Sequence, residues 1–376
     1  MDTMAETLSR VLPKDRTESS VSNELQEHSN TGWGKMDTYL TYDQISLIPT
    51  QVSTLEHRAE AKTSIKFGST WLDVPIIAAP MPDVSNGLMA RKLMDLGSFG
   101  WIHRFQSMDD RVKEWLLFHG GTITNKEWSY PSPGITIGLK EIEEFQKLYE
   151  IGARTVCIDT ANGASVSVQK ALGSLKDKYP DIFIVVGNIA SSENFYKLEE
   201  WGADAIRVGI AGGSVCETRT ETGVYSPMAS VIAEISGVAD LTNKFGENRI
   251  RGFNQRKALL IADGGIRTPG DMCKALALGA DLVMVGGIFG GTKESPGEVL
   301  KIDGKLYKVM RGAASYSVQN GASGYIEGAE TIVPYQGSVE KVINRYAAGL
   351  RSSMSYNNSR TLDEFRKNVK IVKLAS

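Results

Sequence analysis

Residues 258–288 read ALLIADGGIRTPGDMCKALALGADLVMVGGI: an apolar run, a helix-length segment, then a second apolar run. Neither apolar run alternates with polar residues, which is how a strand covered on both faces of a parallel sheet reads. Gly279 stands where a helix must stop and the chain must turn back, a place that favours left-handed backbone. The segment is a β-α-β unit.

The unit recurs along the chain. The runs PIIAAPM (75–81), SFGWIHR (98–104), GITIGL (134–139), TVCIDTAN (155–162), FIVVGNI (183–189) and DAIRVGI (204–210) precede ALLIADGGI (258–266) and DLVMVGGI (281–288), eight in all. MDLGSFGWIH, YEIGARTVCID, EEWGADAIRVG and LALGADLVMVG repeat one helix, glycine, strand phrase, with Gly97, Gly152 and Gly202 in the place of Gly279. An open doubly wound sheet uses the same turn, so the phrase alone gives α/β. The count of eight favours a closed (β/α)₈ TIM barrel, an architecture of roughly 250 residues that fits a chain of 376.

Residues 1–34 are polar and lack a sustained apolar period, and are expected to be a loosely ordered arm before a single domain over 35–376. Residues 291–337 break the β-α rhythm. They hold a hairpin signal at Asp303-Gly304 and then a polar, glycine-rich stretch, read as a flap on the catalytic face. The segment from Ser338 to about Ala348 reads as the last barrel helix, with a short tail behind it.

The 42 basic and 44 acidic residues are spread evenly, with no basic stripe for a polymer's phosphates, so nucleic acid is not an expected partner. No apolar run has the length of a membrane span, and the first residues lack the apolar core of a signal peptide. Cys157, Cys216 and Cys273 form neither a disulfide framework nor a metal-ligand spacing. These features point to a soluble, cytoplasmic protein.

Chemistry concentrates in VGIAGGSVCETRTETG (208–223), directly after the sixth strand. Gly209, Gly212 and Gly213 allow backbone to approach a ligand, and Cys216 follows at the mouth of the barrel, where active sites of this fold form. A lone cysteine is often a buried filler. The polar neighbours Ser214, Glu217, Thr218 and Arg219 favour an exposed nucleophile instead. Asp263-Gly264-Gly265 and Gly286-Gly287 end the seventh and eighth strands, where barrels build phosphate sites from backbone N–H groups; tight turns are the plainer use of such glycines. Asp159, Asn162 and Asn188 end the fourth and fifth strands, as ligand-orienting groups or helix caps. His103, ending the second strand, reads more simply as a histidine satisfied by its loop than as a base. No phosphate-binding P-loop and no nucleophile elbow occurs.

In order along the chain, PIIAAPM, IDTANG (158–163), GNIAS (187–191), GSVCETR (213–219), IADGGIRTPGD (261–271) and EGAETIVPYQG (327–337) resemble the IMP dehydrogenase and GMP reductase family, over nearly the whole of 37–374. The resemblance implies a TIM barrel, a homotetramer, and a cysteine that bonds to C2 of a purine nucleotide while hydride moves between C2 and a nicotinamide. It makes Cys216 the nucleophile and Thr218 and Glu327 a proton relay at C2. It assigns Ser214, Gly265 and Gly287, with the adjoining Gly264, Gly286 and Gly312, to the 5′-phosphate. Asp263 would take the ribose hydroxyls, Met81 and Asn188 the base, and Asp159, Thr160 and Ala161 the nicotinamide. Backbone carbonyls of Gly209, Gly213 and Cys216 would hold a potassium ion.

Within the family, IHRFQ (102–106) and ESPGEVLKIDGKLYK (294–308) resemble GMP reductases of the bacterial type, and two further features favour an NADPH-dependent GMP reductase. Only residues 105–133 separate Arg104 from Gly134, with no inserted regulatory domain. The flap SYSVQNGASGYIE (315–327) offers Tyr325 without the adjacent arginine that a dehydrogenase uses to activate water. The sequence also departs from the family pattern. Met81-Pro82-Asp83 replaces MDT, Ala211-Gly212-Gly213 replaces a Gly-x-Gly, and Met310-Arg311-Gly312 lacks the aromatic that helps hold phosphate, leaving Arg311 as a charged clamp. IMP dehydrogenation, reduction of another 2-substituted purine nucleotide, and nucleotide binding without catalysis are the alternatives.

Overall fold

The computed structural model describes residues 38–120, 132–213, 216–237, 256–312 and 330–375. All eight expected strands form: β1 (Ile76–Ala78), β2 (Trp101–Ile102), β3 (Gly134–Ile137), β4 (Thr155–Asp159), β5 (Phe183–Ile189), β6 (Ala205–Val208), β7 (Leu259–Asp263) and β8 (Leu282–Val285). They make one parallel sheet in chain order, with β8 returning to pair with β1. Ile77 bridges Phe99 just ahead of β2, and Ala78 N–H donates to Phe99 O at 2.9 Å, which joins the two edges. The barrel expected from the count is therefore present.

Helices alternate with the strands: α1 (Gly87–Asp95), α2 (Met108–Phe118), α3 (Gln146–Glu150), α4 (Val166–Lys178), α5 (Ser192–Glu200), α6 (Met228–Ser236), α7 (Pro269–Ala277) and α8 (Val339–Tyr356). Local chemistry sets their ends. Asn86, Ser107, Ser165, Ser191, Thr268 and Ser338 each accept a backbone N–H from the first turn that follows, satisfying a donor no helix can satisfy internally. Gly97, Gly152, Gly202 and Gly279 all hold positive φ (70°, 105°, 101° and 110°), as the repeated phrase requires.

Two apolar layers hold the barrel. Ile77, Phe99, Trp101, Cys157, Val185, Ala205, Ile261, Leu282 and Met284 cluster with Phe67 and Leu72, while a larger layer packs strands against helices. Phe67 and Leu72 come from a hairpin, Ile65–Phe67 with Thr70–Leu72, which the sequence reading did not identify. Phe67 meets Phe99 at 4.9 Å and Phe183, the first residue of β5, at 5.0 Å, both edge to face, and so caps the amino-terminal end of the barrel.

The segment expected to be a flap carries at its base an antiparallel sheet, the stem, of β9 (Val299–Ile302), β10 (Lys305–Arg311) and β11 (Glu330–Pro334). Asp303 (φ 49°) and Gly304 (φ 78°) make the β9–β10 turn, as expected for a two-residue hairpin loop. Lys308 is buried on this stem. Burial pushes its pKa below the usual lysine range, and its Nζ donates to Thr292 O (3.0 Å), Ser295 O (2.6 Å) and Ser295 Oγ (2.9 Å), anchoring the stem to the segment after β8.

The end of the chain differs from the short tail expected. α8 runs on to Tyr356, a further helix spans Leu362–Asn368, and the strand Lys370–Lys373 pairs antiparallel with Ile45–Ile48. The buried stripe Val339, Val342, Ile343, Tyr346, Leu350 and Met354 explains the length of α8, since the apolar spacing continues past Ala348. The arm expected over 1–34 lies outside the described residues.

Candidate active site

The cysteine loop leaves β6 at Gly209, which holds φ 139°. A Cβ there would stand 2.0 Å from Asp263 O, so only glycine lets β6 and β7 come this close. Ser226 closes the loop's neck: Ile210 N–H donates to its Oγ at 2.7 Å, and Ser226 N–H donates back to Ile210 O at 3.0 Å. Gly265 N–H reaches across to Gly212 O at 3.0 Å, and an added Cβ on Gly264 would meet Gly212 Cα at 2.9 Å. Two glycine loops thus pack backbone to backbone. Ala211 sits between them at φ 58°, a conformation glycine adopts at lower cost.

Cys216 is half-buried on this loop, and its Sγ donates to Thr218 Oγ1 at 3.2 Å. The nucleophile and relay threonine inferred from the resemblance are therefore in contact. Cys157 and Cys273 are buried, and burial pushes each thiol up to about 12, the inert state of a core filler. Arg219, one of the polar neighbours of Cys216 in the sequence, lies over the Tyr225 ring at 4.3 Å. Ser214, Glu327 and the flap segment 315–327 with Tyr325 lie outside the described residues.

Facing the loop is a network the sequence reading missed in part. Arg207, on β6 and nearly buried, donates Nη1 to Asp159 Oδ1 at 2.5 Å. It also donates Nε and Nη2 to Asp263 Oδ2 at 3.1 and 2.8 Å. Arg104 Nε adds a bond to Asp159 Oδ2 at 3.0 Å, and Asn188 Nδ2 donates to Asp263 Oδ2 (2.8 Å) and Gly209 O (2.7 Å). Burial works to raise the Asp159 carboxyl, but Arg207 and Arg104 outweigh it and hold the group below its ordinary value. Burial likewise opposes the charge on Arg207, and Asp263 and Asp159 restore it, leaving its pKa well above the usual range. The signal for Arg207 was a basic residue inside the otherwise apolar strand AIRV (205–208), two residues after the buried Ala205.

The structure brings Asp159, Asn188 and Asp263 together through this network. At the end of β4, Asp159 and Thr160 are half-buried and Ala161 and Asn162 are exposed, an open ledge where the resemblance puts a nicotinamide. Thr160 Oγ1 is committed to Gly187 O at 3.1 Å, so the arginine-held Asp159 carboxylate and the exposed Asn162 amide are the ledge's other polar side chains. The ledge fits such a group. Of the carbonyls expected to hold potassium, Gly209 O accepts from Asn188 Nδ2 at 2.7 Å and Gly213 O from Cys216 N–H at 3.2 Å.

On the phosphate side, Gly264 (φ 109°) and Gly265 (φ 76°) require left-handed backbone, and Gly286 leads into the short helix Gly287–Gly290. A Cβ on Gly286 would meet Met310 Cε at 3.1 Å and Met81 Sδ at 3.6 Å, so two methionines line this turn. Arg311, expected as a clamp on phosphate, is engaged by Asp83, and Gly312, the last described residue of the stem's middle segment, is buried. His103 Nδ1 accepts Phe105 N–H at 3.2 Å, so its loop satisfies it, through an amide. Burial first, and then repulsion by Arg111, depress its pKa to about 4 against a smaller opposing pull from Asp83, leaving it neutral.

The chain is similar to known proteins over most of its length. The profile of the IMP dehydrogenase / GMP reductase domain matches residues 39–376. A GMP reductase of Lactobacillus gasseri is 34% identical over 86% of this chain and 92% of its own length. A GMP reductase of Lysinibacillus sphaericus is 33% identical over 88% of this chain and 94% of its own. An inosine-5′-monophosphate dehydrogenase of Cryptosporidium parvum is 33% identical over 90% of this chain and 92% of its own.

Proposed function

The chain belongs to the IMP dehydrogenase / GMP reductase family, a family of oxidoreductases acting on purine nucleotides with a nicotinamide cofactor, and from that premise we propose that it is an NADPH-dependent GMP reductase. The contact between Cys216 Sγ and Thr218 Oγ1 carries the reading, because it pairs a nucleophile with a hydroxyl able to pass a proton beside it. Tyr325 without an adjacent arginine favours reduction over the hydrolysis that would make the chain a dehydrogenase.

In this reading the Cys216 thiolate adds to C2 of GMP. The 2-amino group takes a proton passed from Glu327 through Thr218 and leaves as ammonia, with the purine still bonded to sulfur. A nicotinamide held beside Asp159 would supply the hydride that C2 receives. The C2–S bond then breaks, releasing IMP and the thiolate. Asp159, fixed by two arginines, with Thr160 and Ala161 beside it, orients the cofactor; Asp263 and Asn188 orient ribose and base; and the glycine turns 264–265 and 286–287, with Ser214, cradle the phosphate. The segment 291–337 is read as the flap of one catalytic domain over 35–376. A cytoplasmic homotetramer completes the proposal; no helix among the described residues is long and apolar enough to cross a membrane.

The test mixes the purified chain with GMP and NADPH and follows nicotinamide absorbance together with ammonia. Equal loss of NADPH and gain of ammonia, abolished by Cys216→Ala, is expected. Turnover of IMP with NAD and none of GMP would assign the dehydrogenase reaction. GMP binding without either reaction would make the barrel a binding protein.

A further inference from the structure

Two departures from the family pattern, far apart in sequence, meet in space. Asp83, from the altered Met81-Pro82-Asp83 turn after β1, accepts from Arg311 N–H at 2.9 Å and Arg311 Nε at 2.8 Å on Oδ2, and from Arg311 Nη2 on Oδ1. Asp83 is 2% exposed, whereas the Arg311 side chain is 37% exposed. A surface ion pair of ordinary kind contributes little, but a carboxylate this buried becomes an uncompensated charge when its partner is removed.

The pair stands at a junction of three segments. Met310, one residue before Arg311, and Met81, two before Asp83, both line the turn at Gly286. A Cβ on Gly290 would lie 3.5 Å from Asp83 O and 3.5 Å from Met310 Sδ. The turn after β1, the turn after β8 and the last residues of β10 are thereby held as one piece around the glycines read as the phosphate cradle. An anionic nucleotide bound there lies close to a buried carboxylate, and its approach is unfavourable unless that charge is cancelled.

Resting on the reading of this mouth as a purine nucleotide site, we propose that Arg311 is a positioning residue that neutralises Asp83 and fixes the flap stem to the barrel, leaving the phosphate to backbone N–H groups. Its guanidinium is spent on the protein's own carboxylate. The consequence is that Arg311 and Asp83 depend on one another: removing the arginine harms nucleotide binding mainly because it uncovers the aspartate.

Four full-length proteins test this: the unaltered chain, Arg311→Ala, Asp83→Asn, and both together. Arg311→Ala is expected to raise the KM for GMP by about tenfold or more with kcat changed by less than about threefold, and adding Asp83→Asn to return KM to within about threefold of the unaltered value. Thermal midpoints without nucleotide are expected to be non-additive in the same sense. Arg311→Gln replaces Arg311→Ala in the same scheme if the alanine variant does not fold. A double variant as impaired in KM as Arg311→Ala alone would overturn the proposal, since the arginine's charge would then act on the nucleotide directly. No GMP binding by the unaltered chain would overturn both this inference and the function it rests on, whereas normal binding without rescue overturns this inference alone.

Discussion

Arg207 carries a full charge into a barrel wall that is otherwise apolar, and it is tolerated because Asp159 and Asp263 surround it. Arg207→Met is expected to cost about 3–5 kcal/mol, because it leaves two partly buried carboxylates without their shared cation. Denaturant unfolding of the two proteins at neutral pH measures the difference. The Asp159 carboxyl is held below its ordinary value in the fold, so its contribution is complete above about pH 4 and is lost as pH falls through the lowered value. The variant is therefore expected to lose less stability than the parent on acidification below about pH 4. His103 has the opposite charge logic and a different window. Its folded pKa is about 4 against 6.5, so the unfolded chain binds a proton the folded one refuses, and stability falls between pH 6.5 and about 4. His103→Gln, whose amide oxygen can still accept Phe105 N–H, is expected to flatten that slope in a pH series of melts. At this scale the sequence disclosed the cysteine loop and the carboxylates at strand ends, because each sits beside a glycine signature. It did not disclose that Arg207 binds both carboxylates or that Asp83 meets Arg311, because those contacts join residues from different strands and depend on the barrel's closure.

Among the elements, glycines separate into those the backbone requires and those it merely contains. Gly279 ends α7 at φ 110°, and Gly279→Ala is expected to cost about 1–2 kcal/mol, the penalty for an L-residue in left-handed backbone. Gly173 lies inside α4 with nothing within 4 Å of an added Cβ, so Gly173→Ala is expected to stabilise by about 0.5–1 kcal/mol. Chemical denaturation of both single variants tests the pair, and equal effects at the two sites would contradict the assignment. The eight strands and four helix-ending glycines were legible because buried parallel strands and αβ turns each leave a local pattern. The hairpin holding Phe67 and Leu72 was not: its strands, Ile65–Phe67 and Thr70–Leu72, are too short to establish a period, and their reward comes from capping a barrel that only the full chain builds.

For the molecule as a whole, the last strand ties the two ends of the described domain together. Lys370–Lys373 pairs with Ile45–Ile48, and Val369 and Ile371 are buried beside it. Removing residues 369–376 is expected to destabilise the protein by about 3 kcal/mol or more, from roughly 1.5–3 kcal/mol for each buried aliphatic side chain, read as a lower denaturation midpoint. This closure was not legible either, since KIVK follows a helix and its partner lies across the whole chain. In the proposed reaction Cys216 holds C2 of a guanine nucleotide while hydride replaces the amine. The most direct measurement uses GMP with a reduced nicotinamide deuterated at the transferred position and weighs the nucleotide product. IMP carrying one deuterium at C2, with ammonia released in equal amount, is expected. IMP without the label, or no conversion of GMP at all, would contradict that reaction.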